Sequence, residues 1–235
     1  MKIILVRHGE SAYNKDGIIN GHSNIPLSEA GKIQAEDTSV KILKYLDGVK
    51  VAAVYSSDLI RARQTAAPFI EKLRLKQPNV PVYYRDDLRE IKLGVWEGRS
   101  KKELLEETDE SGISPFMRWL ESPKDVTPAG AESMPDFYRR AKSSFSNIVN
   151  KHSSNDEIIV IFTHGGYVSM VLNYIRGRTP DNLIKFDFVN GEAVVIETCG
   201  SDYKIRGSLL PEDNGNGNKT AFQTVKDMVR VNPIA

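Results

Sequence analysis

Ile3-Ile4-Leu5-Val6-Arg7-His8-Gly9-Glu10 is the stretch on which the interpretation of this chain turns. Four apolar residues in a row, without alternation, predict a strand buried on both faces of a sheet. The run then breaks into Arg-His-Gly-Glu, with the polar Ser11 and Asn14 close behind. The same arrangement recurs far downstream. Ile158-Ile159-Val160-Ile161-Phe162 is fully apolar and breaks into Thr163-His164-Gly165-Gly166. In an open parallel sheet, ligands bind beyond the carboxyl ends of the strands. If both strands lie centrally and point the same way, His8 and His164 meet in one crevice.

Outward from these two strands, apolar runs alternate with helical patterns. Ser28 is an N-cap for a helix reaching to about Asp47, with Gly48 as its stop. Gly31 in its first turn weakens that helix, which points to a packing or close-approach role. Val51 to Tyr55 reads as a strand, and Ser56-Ser57-Asp58 opens a helix continuing to about Leu75. That places Arg61 in or just beyond a first helical turn, where a cation is disfavoured by a few tenths of a kcal/mol up to about one. A surface arginine bears that cost easily, but a helix that follows a strand points its N-terminus at the same crevice. Val82-Tyr83-Tyr84 is a short strand, and Asp86 to Trp96 is irregular and carries Glu90.

Residues 99–131 read as an insertion with helical stretches at Lys101–Glu107 and Pro115–Glu121. From Ser133 to about His152, Met134, Phe137, Ala141, Phe145 and Ile148 follow helical spacing. A helix from about Tyr167 to Ile175 follows the second key strand, and Lys185–Val189, Ala193–Thr198 and Tyr203–Arg206 read as further strands. The stretch Asp213-Asn214-Gly215-Asn216-Gly217-Asn218 is turn-like, so residues 211–235 read as a tail. The expected fold is α/β, a three-layer α/β/α sandwich around a mostly parallel sheet. Residues 1–210 would form the catalytic domain, with the helical insertion 99–131 over the site and shaping the substrate pocket.

Composition narrows the function classes. With 32 Lys and Arg against 31 Asp and Glu, the formal charge of +1 argues against a nucleic-acid or membrane-surface binder. No apolar stretch approaches the roughly 20 residues that cross a bilayer, and the first apolar run is too short for a signal peptide. The single cysteine, Cys199, excludes an intrachain disulfide and fits a reducing compartment. The expectation is a soluble, cytoplasmic protein; a homodimer is compatible with it.

A crevice holding Arg7, His8, Arg61 and His164 suits a tetrahedral oxyanion, because guanidinium forks match phosphate. A neutral imidazole nitrogen can attack phosphorus without first losing a proton, and neighbouring cations keep it neutral. The developing trigonal phosphoryl group needs its equatorial oxygens surrounded by donors, which Arg7, Arg61 and His164 supply. Glu90 would protonate the departing oxygen and then deprotonate the incoming water.

Val6-Arg7-His8-Gly9-Glu10 resembles the signature of the histidine phosphatase superfamily, in its phosphoglycerate-mutase-like branch. Pro26-Leu27-Ser28-x-x-Gly31, Ser56-Ser57-Asp58-Leu59-x-Arg61-Ala62-x-Gln64-Thr65-Ala66, Leu88-Arg89-Glu90 with Gly94-x-Trp96-Glu97-Gly98, and Thr163-His164-Gly165-Gly166 resemble further motifs of that family. All five occur in order over roughly residues 1–200. The resemblance implies a metal-independent phosphatase of small phosphorylated metabolites, with no cofactor. It makes His8 the phosphorylated nucleophile and Glu90 the proton donor. Arg7, Arg61 and His164 would bind the phosphoryl group, assisted by Asn14 and the Gly165 N–H. Asn20 and Gly21 are weaker substrate contacts, since Asn20 stands where relatives often carry the longer glutamine.

Three competing functions are distinguishable. A phosphoglycerate mutase would carry a G-L-x-G-x-N-K-type segment after the acid, where this chain has Gly94-Val95-Trp96-Glu97-Gly98-Arg99-Ser100. A metal-dependent phosphoesterase would show Asp-rich ligand clusters near the histidines. A non-catalytic phospholigand-binding protein would lack the nucleophile or the acid. Of the other residues, His22 reads as an exposed loop histidine, His152 as a helix end, and Trp96 and Trp119 as packing residues, with Trp119 in the insertion also placed to cover a substrate. Arg99, Lys102 and Arg118 are candidates to meet a second anionic group.

Overall fold

The computed structural model describes residues 1–152, 157–199 and 202–209. In chain order its elements are β1 (Lys2–Arg7), α1 (Ala12–Lys15), α2 (Glu29–Leu46), β2 (Val51–Ser57), α3 (Ile60–Lys76), β3 (Val82–Arg85), α4 (Lys101–Glu106), α5 (Pro115–Glu121), α6 (Met134–Lys151), β4 (Ile158–Thr163), α7 (Gly165–Ile175), β5 (Ala193–Cys199) and β6 (Asp202–Leu209). The tail expected over 211–235 lies outside the described residues.

The six strands form one sheet in the order β3-β2-β4-β1-β5-β6. β3, β2, β4 and β1 run parallel, β5 is antiparallel to β1, and β6 is antiparallel to β5. β1 and β4 are adjacent central strands in parallel register, with Arg7 opposite Thr163. The two histidines that follow them therefore leave the sheet side by side. The uninterrupted apolar runs have a simple cause: alternate side chains enter opposite cores. Ile3, Leu5, Ile159 and Ile161 pack with α6 and α7 residues such as Phe137, Phe145 and Val171. Ile4, Val6, Val160 and Phe162 pack with Ile42, Phe69 and Leu73 of α2 and α3. Each such side chain contributes about 1.5–3 kcal/mol by leaving water.

α2 begins as expected, with Ser28 Oγ accepting the Gly31 N–H at 3.0 Å. It ends at Asp47, which takes a left-handed conformation (φ 44°) just before Gly48. Gly31 has the close-approach role predicted for it. A Cβ there would lie 2.0 Å from the Glu10 carbonyl oxygen, and one on Gly9 would lie 2.5 Å from the Gly31 carbonyl oxygen. The loop after β1 and the first turn of α2 therefore cross backbone to backbone.

Two expectations need correction. Ser56 and Ser57 close β2 rather than opening α3, whose first N–H, that of Ile60, is capped by Asn24 Oδ1 at 2.7 Å. The local candidates are occupied elsewhere, since Asp58 binds Arg89 and Ser57 meets His164. Lys185–Val189 is irregular instead of a strand. Side chains, in place of a ladder, meet backbone groups of Ile184, Phe188 and Val189. Asn173 brackets Ile184 through both its amide atoms (2.9 Å each), Glu192 Oε2 accepts the Val189 N–H at 3.0 Å, and Arg7 donates to the Phe188 carbonyl.

Candidate active site

His8 follows the last residue of β1, and its N–H donates to the Thr163 carbonyl at 2.9 Å. Its ring is buried, with Nδ1 2.6 Å from the Gly9 carbonyl oxygen. A carbonyl only accepts, so Nδ1 carries the proton and Nε2 keeps its lone pair. Arg61 Nε donates toward that Nε2 at 3.3 Å. Burial first, then the Arg61 and Arg7 charges, hold the His8 pKa well below the ordinary 6.5. The ring is thus neutral at physiological pH, with its unprotonated nitrogen beside the arginine.

His164 stands at the N-terminus of α7, its ring centroid 5.1 Å from that of His8 and inclined at 64°. Its Nε2 lies 2.9 Å from Ser57 Oγ, and its buried Nδ1 has no partner. Burial, reinforced by Arg61 and His8, keeps it neutral as well. Arg61 is wholly buried, with Nη1 donating to the Ser23 carbonyl at 2.7 Å and Nη2 to that of Gly21 at 2.8 Å. Burial lowers its pKa to about 10, which leaves it charged at neutral pH. Arg7 donates Nη1 to the Phe188 carbonyl, while its buried Nε is unpartnered. Each orphaned buried donor costs about 1–3 kcal/mol. Arg7 Nε and His164 Nδ1 therefore hold a cost that an oxyanion bound between them would relieve.

Glu90 is presented by a loop whose backbone is clamped from several sides. Thr163 Oγ1 donates to the Leu88 carbonyl at 2.7 Å. Arg140, projecting from α6, donates to the carbonyls of Asp87 (3.0 Å), Arg89 (2.9 Å) and Glu90 (3.0 Å), while its remaining hydrogens pair with Glu132. The Glu90 carboxylate accepts the Gly166 N–H at 3.0 Å and the Ile91 N–H at 3.0 Å. A Cβ on Gly166 would lie 2.1 Å from Glu90 Oε1, so the close approach requires glycine. The Glu90 charge acts on both Arg7 and Arg61, raising their pKa values against the effect of burial. Neighbouring carboxylates are engaged elsewhere: Glu97 Oε1 accepts the His22 and Leu93 N–H groups at 3.0 and 2.8 Å, and Asp87 pairs with Arg85.

The remaining predicted residues divide. Gly165 is the first residue of α7, where helix N–H groups have no intrahelical partner and the dipole favours an anion. Gly21 meets Arg61 through its carbonyl. Asn14 Oδ1 accepts the Ser11 N–H at 3.1 Å in the capping box of α1, and Ser11 Oγ lies 2.9 Å from both Asn14 Oδ1 and Asn20 Oδ1. Both amides are thus tied into the loop after β1.

His22 departs from expectation. It is half-buried, with Nε2 2.8 Å from the Glu90 carbonyl oxygen. His152 does end α6, and there its Nε2 meets Tyr55 OH at 2.9 Å. Trp96 packs edge-on against Phe116. Arg99, Lys102 and Arg118 each face an acid of the insertion, Glu107, Glu106 and Asp109 respectively.

Sequence reasoning overlooked Ser57, Thr65 and Arg140. Ser57 and Thr65 sit inside a motif already quoted, but nothing in the sequence says that Ser57 reaches His164 or that Thr65 Oγ1 accepts the Gly9 N–H at 3.0 Å. Arg140 is a polar position on an amphipathic helix, and its sequence context carries no signal. Among the described residues, no group of three His, Cys, Asp or Glu side chains converges to hold a metal ion. No helix among them is long and apolar enough to cross a membrane.

Comparison with known proteins agrees with this geometry. A family model described as histidine phosphatase superfamily (branch 1) matches residues 3–208. Phosphoglycerate mutase-like protein 4 of Arabidopsis thaliana is 33% identical over 228 residues, covering 94% of this chain and 94% of the relative. Phosphoserine phosphatase 1 of Hydrogenobacter thermophilus is 33% identical over 164 residues, covering 69% of this chain and 71% of its own. Among solved structures, Bacillus stearothermophilus YhfR superposes with a TM-score of 0.72 at 29% identity, covering 87% of this chain and 95% of its own.

Proposed function

The chain belongs to the histidine phosphatase superfamily, and from that premise we propose that it hydrolyses small phosphomonoesters through a phosphohistidine on His8, without a metal. The observation that carries the proposal is the pairing of a neutral His8, whose unprotonated Nε2 is released for attack when Arg61 Nε turns its hydrogen to a bound phosphate, with buried Arg7 Nε and His164 Nδ1 that have no partner among the described residues. In the first step Nε2 attacks phosphorus and the bond from phosphorus to the ester oxygen breaks. Arg7, Arg61, His164 and the Gly165 N–H stabilise the equatorial oxygens. The ester oxygen leaves with the bonding pair and takes a proton from Glu90, which enters the step as the neutral acid after taking up a proton as the dianionic phosphate binds. In the second step water attacks the phosphohistidine and gives its proton back to Glu90. Inorganic phosphate departs and His8 is neutral again. The Nδ1–H bond to Gly9 stays intact throughout and stabilises the phosphorylated ring.

The test is a phosphate-release assay over a panel of phosphomonoesters in chelator-treated buffer, ranked by kcat/KM, with His8→Ala alongside. Release by the wild-type protein, abolished in His8→Ala and blocked by vanadate as a five-coordinate phosphorus mimic, is the expected outcome. Activity that collapses in chelator would refute the metal-free mechanism. Conversion of one phosphoglycerate isomer to the other, without net phosphate release, would make the protein a mutase.

A further inference from the structure

A cavity of about 430 Å³ opens beside the candidate site, on the side of Glu90. Its position follows from three residues it shares with the site. Gly166, whose N–H holds the Glu90 carboxylate, is part of its wall, as is Ile91, which follows Glu90 in the chain. Gly165 is the third, and a Cβ there would lie 3.4 Å from Arg7 Cδ and Nε. A general acid must lie within hydrogen-bond reach of the oxygen it protonates. The cavity is therefore the space next to the side from which Glu90 would reach that oxygen.

Much of the cavity wall is apolar. Trp119, Met134, Phe137, Met170, Leu183 and Phe186 all line it. Trp119 is held by its neighbours, stacked on Phe116 at 5.9 Å and 12° and edge-on to Trp96 at 6.0 Å. The wall is thus formed in advance of binding, and the volume falls within the range that small ligands fill. Its charged residues are two acids, Glu121 and Asp181, and two lysines. Both lysines already face carboxylates, Lys124 that of Asp125 at 2.9 Å and Lys185 that of Asp187 at 3.6 Å. Arg99, Lys102 and Arg118, the insertion's candidates for a second anion, are paired with acids as well. A substrate carboxylate or second phosphate would meet lysines whose charge these acids already offset, beside the two further acids of the wall. An apolar group needs no counter-charge and gains by leaving water.

We propose that the alcohol portion of the substrate is an uncharged, apolar group of aromatic size, seated against Trp119 in this cavity. The inference deepens the phosphatase reading and rests on it for the direction in which the substrate lies. Phosphoserine and phosphoglycerate, small and anionic, are accordingly poor substrates. The chain selects its phosphomonoester by hydrophobic complementarity on the Glu90 side.

The experiment compares 2-phenylethyl phosphate with ethyl phosphate, whose alcohols differ little in acidity, and with phosphoserine. Burying a phenyl group predicts a kcat/KM about 10–100-fold higher for 2-phenylethyl phosphate than for ethyl phosphate, with phosphoserine below both. In Trp119→Ala that ratio falls toward one, and Trp119→Phe keeps most of it. Because the readout is a ratio within one preparation, partial misfolding lowers both rates and leaves the ratio in place. Binding of 2-phenylethylphosphonate and ethylphosphonate, measured by calorimetry, separates the two levels of the argument. Turnover without preference for the phenyl compound, or with preference for phosphoserine, overturns the cavity assignment and leaves the phosphatase standing. Preferential phosphonate binding without turnover supports the cavity and overturns the phosphatase. Neither turnover nor preference overturns both.

Discussion

His164 illustrates how a single hydrogen bond can set the chemistry of a ring. Ser57 Oγ already accepts the Leu59 N–H at 3.3 Å, so its own hydrogen is free to point at His164 Nε2. With Ser57 donating, the ring's proton sits on Nδ1, the tautomer that can donate to an oxyanion bound in the crevice. Removing Ser57 would let the ring take either tautomer. A net hydrogen bond of about 1 kcal/mol corresponds to roughly a fivefold loss. Ser57→Ala is therefore expected to lower kcat/KM by about that factor, with Ser57→Thr restoring much of it. An unchanged kcat/KM in Ser57→Ala would show that this hydroxyl does not orient the ring.

Glu90 makes a sharper prediction. General acid catalysis contributes about 10²–10⁴-fold, and most where the leaving oxygen is most basic. Glu90→Gln should slow alkyl phosphates within that range and nitrophenyl phosphate far less. Equal slowing of the two would remove Glu90 from the acid role.

At the scale of elements, what the sequence makes legible is what one strand or one helix encodes by itself. Continuous apolar runs announce the central strands because each residue alternates between two cores, and Ser28 caps its helix because the bond it makes is local. Contacts between distant segments leave no such trace. Asn24 caps α3 from 36 residues upstream, and Lys185–Val189 has strand-like composition yet is held by Glu192, Asn173 and Arg7. The histidines and Arg61 were findable because strand ends and a helix start converge in this architecture. The clamp on the Glu90 loop was not, because it depends on how α6 lies against that loop.

That clamp carries its own prediction. One guanidinium bonds three carbonyls of the segment 87–90, so Arg140 is a positioning residue for Glu90. Arg140→Met should release the loop and reproduce the Glu90→Gln pattern, slowing alkyl phosphates more than nitrophenyl phosphate. Displacement of about 1 Å is enough to cost 10²-fold. A purely structural role would lower Tm and slow both substrates alike.

At the scale of the whole molecule, the same burial that keeps the His8 ring neutral makes stability depend on pH. His8 and His164 both have pKa values held well below the ordinary 6.5, first by burial and then by Arg61. In the unfolded chain both regain the ordinary value. Above about pH 6.5 neither state binds these protons and the two rings add no pH dependence. As pH falls below that point the unfolded chain takes up protons that the folded protein refuses, so the equilibrium shifts toward unfolding. The slope is up to about 1.4 kcal/mol per pH unit for each histidine, and it continues until the folded rings themselves titrate. Urea unfolding at pH 7, 6 and 5 should therefore show stability falling steeply over the lower interval, before the carboxylate range is reached. In His8→Gln or His164→Gln the slope should be shallower by up to one proton's worth, whatever the variant does to stability at pH 7. A slope that stays the same in both variants would mean that these rings are not held neutral in the fold, and the unprotonated Nε2 on which the proposed attack depends would lose its physical basis.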